Sequence, residues 1–484
     1  MLLRDILYDV EFVLLSGTAD VQIDGIAYDS RKVQKGDVYV CLRGVNADGH
    51  DFIREAVENG AVAVICDRYV QCGDELTVVK VADAYRALAK VSINFFKHPQ
   101  LKVIGITGTK GKTITVCMIK QILENAGEKC GMIGTMNIFD GKMSYESCNT
   151  TPQSYDIQKY FRKMVDNGCK YVVMEVSSLG LKWDRTYGIM FDCAVFTNFS
   201  EDHIGENEHA SVREYMSCKR MLFDQCSKGF VNADDEQVMS AVRDCECSLD
   251  TFGILKSADI SAYDLQYESR KDFFGVSFCT RGNFVEDVSV PMLGNFNVYN
   301  ALAAISVCKY LGISAENILN GILHTRVKGR GELVCVPRDF VVLIDYAHNA
   351  FSLKNILSTL RLYHPKRLIT LFGCGGDRSK VRRYYMGRIS GEMSDITVVT
   401  MDNPRSENFE DIAYDIKHGL DDVQAEYVII KDRANAIRYG LSIAGPGDVL
   451  LLAGKGHETY QIVGHERFYF DERDVVEKFF ATTL

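Results

Sequence analysis

The stretch VIGITGTKGKTITVCMI, residues 103–119, decides the fold. An apolar run turns on closely spaced glycines, sets Lys112 beside Thr113, and resumes apolar spacing at Val116, Ile119 and Leu123. That order reads as buried strand, phosphate-cradling loop and helix. Backbone N–H groups of Gly108, Thr109, Lys110 and Gly111 suit an anion at a helix N-terminus. Lys112 suits the outer phosphates of a nucleoside triphosphate, and the Thr113 hydroxyl suits Mg²⁺. The strict spacing GxxxxGK[ST] is not met, because its first glycine falls on Ile106. A plain glycine-rich turn is the alternative, and the strand-to-helix context weighs against it.

Working outward, residues 1–97 read as a small α/β module that includes the helix DFIREAVENGAVAVI. The proline turn in FKHPQLK (96–102) places a boundary ahead of the phosphate-loop strand, giving a second domain over 98–328. Its runs YVVMEVSS and DCAVFTNFS are the apolar strands of a parallel sheet covered on both faces. The polar segment HTRVKGRGE (324–332) reads as a second linker, leaving a third domain over 329–484. There VVLIDYAHN, LITLFGCGG, ITVVTMDNP, YVIIKD and DVLLLAGKG predict five strands of a doubly wound sheet. Ligands of such sheets sit at the carboxyl ends of the strands. The charge run DDEQ (234–237) reads as a solvated loop.

Composition narrows the function classes. The chain has 484 residues and a net charge of −10, which argues against a nucleic-acid partner. No stretch reaches the roughly 20 apolar residues of a membrane helix. The first residues, MLLRDILYDVEFVLL, carry Asp5, Asp9 and Glu11 and do not read as a signal peptide. Sixteen cysteines lie without paired zinc spacing, and CEC (Cys245, Cys247) is isolated. The expectation is a cytoplasmic protein with reduced thiols, no membrane partner and no nucleic-acid partner.

Two constellations carry chemistry. Glu175 ends one strand and His203 follows another (NFSEDHIGE), so both emerge at the edge that carries the phosphate loop, where they suit a magnesium ion. Each alone has a bland reading, Glu175 as a cap or ion-pair partner and His203 as a structural histidine. In the third domain, Asn403 and Arg405 (DNPR), Arg383 (DRSKVRR), and Gly454 and Glu458 (GKGHE) are predicted at neighbouring strand ends. Arginines suit a carboxylate bidentately and Glu458 suits an ammonium. A side chain bearing both groups satisfies the set, whereas lysine leaves Arg405 facing a like charge. A surface turn with an ion-paired Arg405 is the alternative.

The chain resembles the Mur ligases, ATP-dependent amino-acid ligases of peptidoglycan synthesis. The resemblance rests on TGTKGKT (107–113), TTP (150–152), MEVSS (174–178), TNFSEDH (197–203), EYMSCKRMLF (214–223), GNFNVYNALAA (294–304), GRGE (329–332), DYAH (345–348), GCGGDR (373–378), DNPR (402–405) and GKGHETYQ (454–461). It implies three domains, with a central P-loop ATPase-like parallel sheet and a C-terminal Rossmann-like sheet. It also implies an acyl-phosphate mechanism using ATP and two Mg²⁺ ions. Carried over by motif, Lys112 and Thr113 handle phosphates and metal, and Glu175 and His203 ligate metal. Lys219 matches a carbamylated lysine that is a further metal ligand. Asn297, Asn300, Arg330 and Asp345 complete the nucleotide site.

The N-terminal YDSRKVQKGDVYVCLRG resembles members that add the third residue of the stem peptide. Their substrates would be UDP-N-acetylmuramyl-dipeptide and a diamino acid, with DNPR marking diaminopimelate, and the expected state is a monomer. On the acceptor side, Ser30, the loop GVNADGHD (44–51), Thr150, Thr151, Ser177 and Arg185 match binding positions. The chain departs from the family there. Leu179 replaces the histidine of SSHxL, Trp183 stands where glutamine is common, DHIGENEH replaces DHLDYHG, and DYAHNAF replaces DYAHTPD. Those departures leave open a paralogue that extends a different carboxylate acceptor, and a lysine-adding enzyme is a further alternative. DNPR, GKGHE and the N-terminal module argue against a folate-type polyglutamate ligase. A non-catalytic nucleotide-binding partner would require a broken site, and Lys112, Glu175, His203 and Lys219 are all present.

Overall fold

The computed structural model describes residues 1–481 except 46, 71–75, 98–100, 206–207 and 271–272. The first expected domain boundary, at 97/98, and parts of GVNADGHD and DHIGENEH thus fall outside the described residues. The chain forms two compact units. One comprises Met1–Ser261, Arg281–Val285 and Tyr299–Gly321; the other comprises Ala262–Thr280, Glu286–Val298 and Ile322–Leu484.

The first unit holds two sheets. The N-terminal sheet runs Phe12–Ser16, Thr77–Val81, Ala63–Cys66, Asp37–Val40, Gly25–Ala27 in space. Its first pair is antiparallel and the rest parallel. Helix Ala84–Phe96 covers it, started by the Asp83 carboxylate, which accepts from the Tyr85 and Arg86 N–H groups. Ala84, Ala87, Leu88 and Val91 recur at helical spacing and are buried.

The second sheet has a parallel core in the order Ser248–Gly253, Lys228–Asn232, Cys193–Phe196, Lys102–Thr107, Tyr171–Glu175, Cys130–Ile133. Lys102–Thr107 is central, and its register pairs Ile106 with Glu175 and Thr107 with Phe196. Three strand ends are thereby level, and the loops that leave them share one edge. Flanking helices keep the strands dry; Ser154–Asp166 buries Ile157, Phe161 and Met164 along one stripe.

The segment DDEQ is not a solvated loop. Asp234 accepts from the Ile254, Leu255 and Lys256 N–H groups and from the Tyr299 hydroxyl. Asp235 caps helix Glu236–Ala241 and accepts from Phe199 N–H at 2.7 Å. Short acidic side chains serve here as acceptors for N–H groups that have no ladder partner.

The second unit contains a six-stranded sheet in the order Glu332–Val334, Val341–Asp345, Val449–Ala453, Leu368–Phe372, Ile396–Val399, Tyr427–Ile429. The five predicted strands are parallel; Glu332–Val334 adds an antiparallel edge. Helices Ala350–Arg361, Lys380–Met393, Phe409–Asp422 and Arg433–Ile443 connect them. An antiparallel hairpin, Tyr460–Val463 with Glu466–Tyr469, follows the last parallel strand. A fully buried ion pair, Arg433 with Glu472 at 2.7 Å, ties the C-terminal helix Glu472–Ala481 to Arg433–Ile443. Among the described residues, no helix is long and apolar enough to cross a membrane.

Candidate active site

The loop after Lys102–Thr107 requires its glycines. Gly108 (φ +139°) and Gly111 (φ +87°) occupy backbone that side chains avoid. A Cβ on Gly108 would come within 2.0 Å of Thr197 Oγ1, and one on Gly111 within 2.4 Å of Asn300 Oδ1. Thr109 N–H donates to Asn198 O, and Lys110 N–H to Asn198 Oδ1, both at 2.9 Å. Helix Lys112–Asn125 starts from Gly111 without a side-chain cap, and an uncapped helix N-terminus suits an anion.

Two lysines converge on this loop. Lys112 Nζ donates to Gly108 O at 2.8 Å and Thr109 O at 3.2 Å. Lys219, on helix Val212–Arg220 and 1% exposed, donates to the same Gly108 carbonyl at 2.9 Å. Burial, then the Lys112 charge, holds the Lys219 amine well below the usual lysine range. The Thr113 hydroxyl donates to Glu175 Oε1 at 2.9 Å, and Thr135 donates to both oxygens of that buried carboxylate. His203 stands half-exposed at φ +55°, its Nδ1 2.8 Å from Glu208 Oε1. The Tyr215 ring lies 5.8 Å from the His203 ring and 4.5 Å from Lys219 Nζ, which brings these residues together.

Among the described residues, no three His, Cys, Asp or Glu side chains converge as a metal cage. The Thr113 hydroxyl and Glu175 carboxylate are nonetheless hard oxygen donors beside a phosphate loop. They fit Mg²⁺, which takes most of its ligands from phosphate and water.

The other residues expected at a nucleotide are divided between the units, Asn300 in the first and Asn297, Arg330 and Asp345 in the second. Asn300 Oδ1 accepts from Thr115 at 3.3 Å, and Asn297 Nδ2 donates to Leu293 O at 2.8 Å. In the second unit, Arg330 lies 4.9 Å over the Tyr346 ring. Asp345 accepts from Gly331 and Ala347 N–H, each at 2.8 Å; burial raises its carboxyl, and Arg330 opposes the rise.

On the acceptor side, Thr150, Thr151, Ser177 and Arg185 form one cluster. Thr150 meets Thr135 at 3.1 Å, Thr151 meets Ser177 at 3.1 Å, and Arg185 Nη1 donates to Thr151 O at 2.8 Å. Arg185 Nε is buried with no partner among the described residues. Ser30 instead donates to Glu55 at 2.6 Å. Trp183 packs on Tyr85 with ring centroids 5.6 Å apart, beside the Arg86–Asp184 ion pair at 3.1 Å. Beside Leu179, the buried His209 places Nε2 2.9 Å from Ser178 Oγ.

The second unit has a cavity of about 320 Å³ at the strand carboxyl ends, lined by Arg378, Arg382, Arg405, Asp402, Asn403, Glu458 and Gly454. Arg405 (φ +52°) donates to Gly376 O at 2.6 Å, and Asn403 Nδ2 donates to Glu458 Oε2 at 3.0 Å. Arg383 does not belong to this lining. It lies on a helix rather than at a strand end, is 1% exposed, and is held by Glu407 at 2.7 Å and Asp415 at 2.9 Å. A guanidinium held by two carboxylates inside the domain through Nη1 and Nη2 is structural. Sequence reasoning missed Arg378 and Arg382 in its place, although Arg378 closes the quoted GCGGDR motif at a strand end. It also missed Asp402 and the buried Lys455.

Comparison with known proteins agrees with this geometry. The Mur ligase family catalytic domain matches residues 22–105, the Mur ligase middle domain 106–308, and the Mur ligase glutamate ligase domain 329–456. A Clostridium perfringens protein named UDP-N-acetylmuramoyl-L-alanyl-D-glutamate–2,6-diaminopimelate ligase is 40% identical, over 98% of this chain and 99% of its own. A Clostridium acetobutylicum protein of the same name, numbered 1, is 42% identical over 99% of both. A solved structure of a ligase of that name superposes with a TM-score of 0.77 at 26% identity, covering 100% of this chain and 99% of the other. With three family domains matched in order and relatives about 40% identical from end to end, this chain belongs to the Mur ligase family.

Proposed function

We propose that the chain is an ATP-dependent ligase that joins meso-2,6-diaminopimelate to UDP-N-acetylmuramoyl-L-alanyl-D-glutamate. The observation that carries the amino-acid half is the cavity, where guanidinium groups of Arg378, Arg382 and Arg405 stand with the carboxylates of Asp402 and Glu458. Such a lining complements a distal end that bears both a carboxylate and an ammonium.

In this reading the domains are 1–97 for the UDP substrate, 98–328 for ATP and 329–484 for the amino acid. A carboxylate of the acceptor attacks the γ-phosphate, giving an acyl phosphate and ADP. The neutral amine of the amino acid then adds to the acyl carbon, and phosphate leaves from the tetrahedral adduct. Lys112 and the N-terminus of helix Lys112–Asn125 orient the triphosphate and offset its charge, whereas the Thr109 and Lys110 N–H groups are engaged by Asn198, so positioning and electrostatics supply the rate. Thr113, Glu175, His203 and Lys219 would hold Mg²⁺, and the ion would supply positive charge to offset that of the triphosphate. Lys219 serves as a carbamate: the neutral amine is the form that adds CO₂, with release of a proton, burial favours that form, and the product is an anion that suits a metal. Thr150, Thr151, Ser177 and Arg185 hold the peptide acceptor.

Phosphate release on UDP-N-acetylmuramyl-dipeptide, with diaminopimelate and L-lysine compared, tests the assignment. Release that depends on diaminopimelate is expected. Release without any amino-acid dependence would refute it.

A further inference from the structure

Lys455 follows the strand Val449–Ala453, is 0% exposed, and takes no part in the reaction outlined above. Its ammonium donates to Asn403 Oδ1 at 3.1 Å and to Glu458 Oε2 at 3.4 Å, and lies 3.7 Å from Asp402 Oδ1. Those three partners line the cavity and Lys455 does not, so any influence it has on a ligand passes through them.

The Asn403 amide shows what the cation does. Oδ1 accepts from Lys455 and from the Ile462 N–H at 3.0 Å, while Nδ2 donates to Glu458 Oε2 at 3.0 Å. Turned over, the amide would set its NH₂ against an ammonium and an N–H group, and its carbonyl against a carboxylate. All three contacts would become repulsive, so the orientation is single. Glu458 then has Oε2 engaged twice, while Oε1 has no hydrogen bond among the described residues. Charge leads to the same place. Asp402 and Glu458 expose only 9% and 15% of their side chains, and the one buried cation between them leaves the pair with the charge of a single carboxylate.

We propose that Lys455 is a positioning residue that sets amino-acid selectivity. It locks Asn403 and one oxygen of Glu458, so the cavity offers one carboxylate oxygen to one ammonium while Arg405 and its neighbours take the carboxylate. The inference rests on the diaminopimelate reading of this cavity.

The test uses the full-length enzyme with Lys455→Met, Lys455→Gln and Lys455→Arg, with phosphate release measured against diaminopimelate and L-lysine. Lys455→Met is expected to raise KM for diaminopimelate by roughly 10- to 150-fold, the loss of one charge-assisted hydrogen bond. The KM for ATP stays unchanged, and the diaminopimelate-to-lysine selectivity ratio falls. Lys455→Gln, which keeps a donor without the charge, also lowers the ratio, and Lys455→Arg retains most of it. A ratio that stays constant in Lys455→Gln, or an equal rise in KM for ATP and amino acid, overturns the proposal. A wild type that prefers lysine refutes the diaminopimelate reading alone, because the effect of Lys455 is still read from the change in ratio between variants.

Discussion

Replacing Arg405 by alanine isolates the carboxylate end of the amino-acid cavity. Arg405 sits in left-handed backbone at φ +52°, and alanine meets the same steric cost there, so backbone strain cancels between the two proteins. Two terms remain. Gly376 O loses the donor that stood at 2.6 Å, which costs about 1 kcal/mol and lowers Tm by about 2–4 °C for a unit of this size. The bound carboxylate loses a charge-assisted partner, about 1.5–3 kcal/mol, or roughly 10- to 150-fold in kcat/KM for diaminopimelate. Lysine has no distal carboxylate and should lose nothing. Phosphate-release kinetics on both amino acids, run well below Tm, separate the two terms. If both amino acids weaken equally, or the ATP KM rises in step, Arg405 shapes the loop and does not read the ligand.

The other expectations are simpler. Lys112→Ala should abolish ADP formation in a folded protein, because the phosphates lose a cation held 2.8 Å from Gly108 O; near-normal turnover would sink the nucleotide site. Lys219→Ala should be nearly inactive, and a short added carboxylic acid should restore part of the activity by supplying the missing anionic oxygen. An unaffected mutant would return Lys219 to a packing role. Glu472→Ala should destabilise by about 3–5 kcal/mol, since it strands the fully buried Arg433 guanidinium, and urea unfolding measures it. A loss below about 1 kcal/mol would mean that water reaches Arg433.

What the sequence disclosed follows the range of its signals. The phosphate loop was legible because Gly108, Gly111, Lys112 and Thr113 act within six residues, and each local choice has a steric or electrostatic reason. Strands of the parallel sheets were legible as apolar runs, since both faces are buried. Arg383 was misread because its partners, Glu407 and Asp415, lie 24 and 32 residues downstream and reach it only through the packing of two helices. A guanidinium that folds inward and one that lines a cavity look alike in DRSKVRR. Lys455 was hidden for the converse reason: GKGHE reads as a strand-end motif with Gly454 and Glu458 toward a ligand, and only the folded chain shows the Lys455 ammonium enclosed by Asn403, Glu458 and Asp402. The hairpin after it went unread because its outer strand, Glu466–Tyr469, is exposed throughout and carries no burial pattern.

The packing of Trp183 against Tyr85 has an optical consequence. Trp183 is the single tryptophan in 484 residues, so all indole emission of the protein arises in the first unit, two residues from Arg185, which we propose to hold the acceptor. The chain thus carries its indole in the first unit and no tryptophan in the unit that holds the mixed-charge cavity. A change in emission on adding the UDP-linked dipeptide would report occupancy of that cluster in unlabelled protein. Diaminopimelate, titrated alone, provides the silent control.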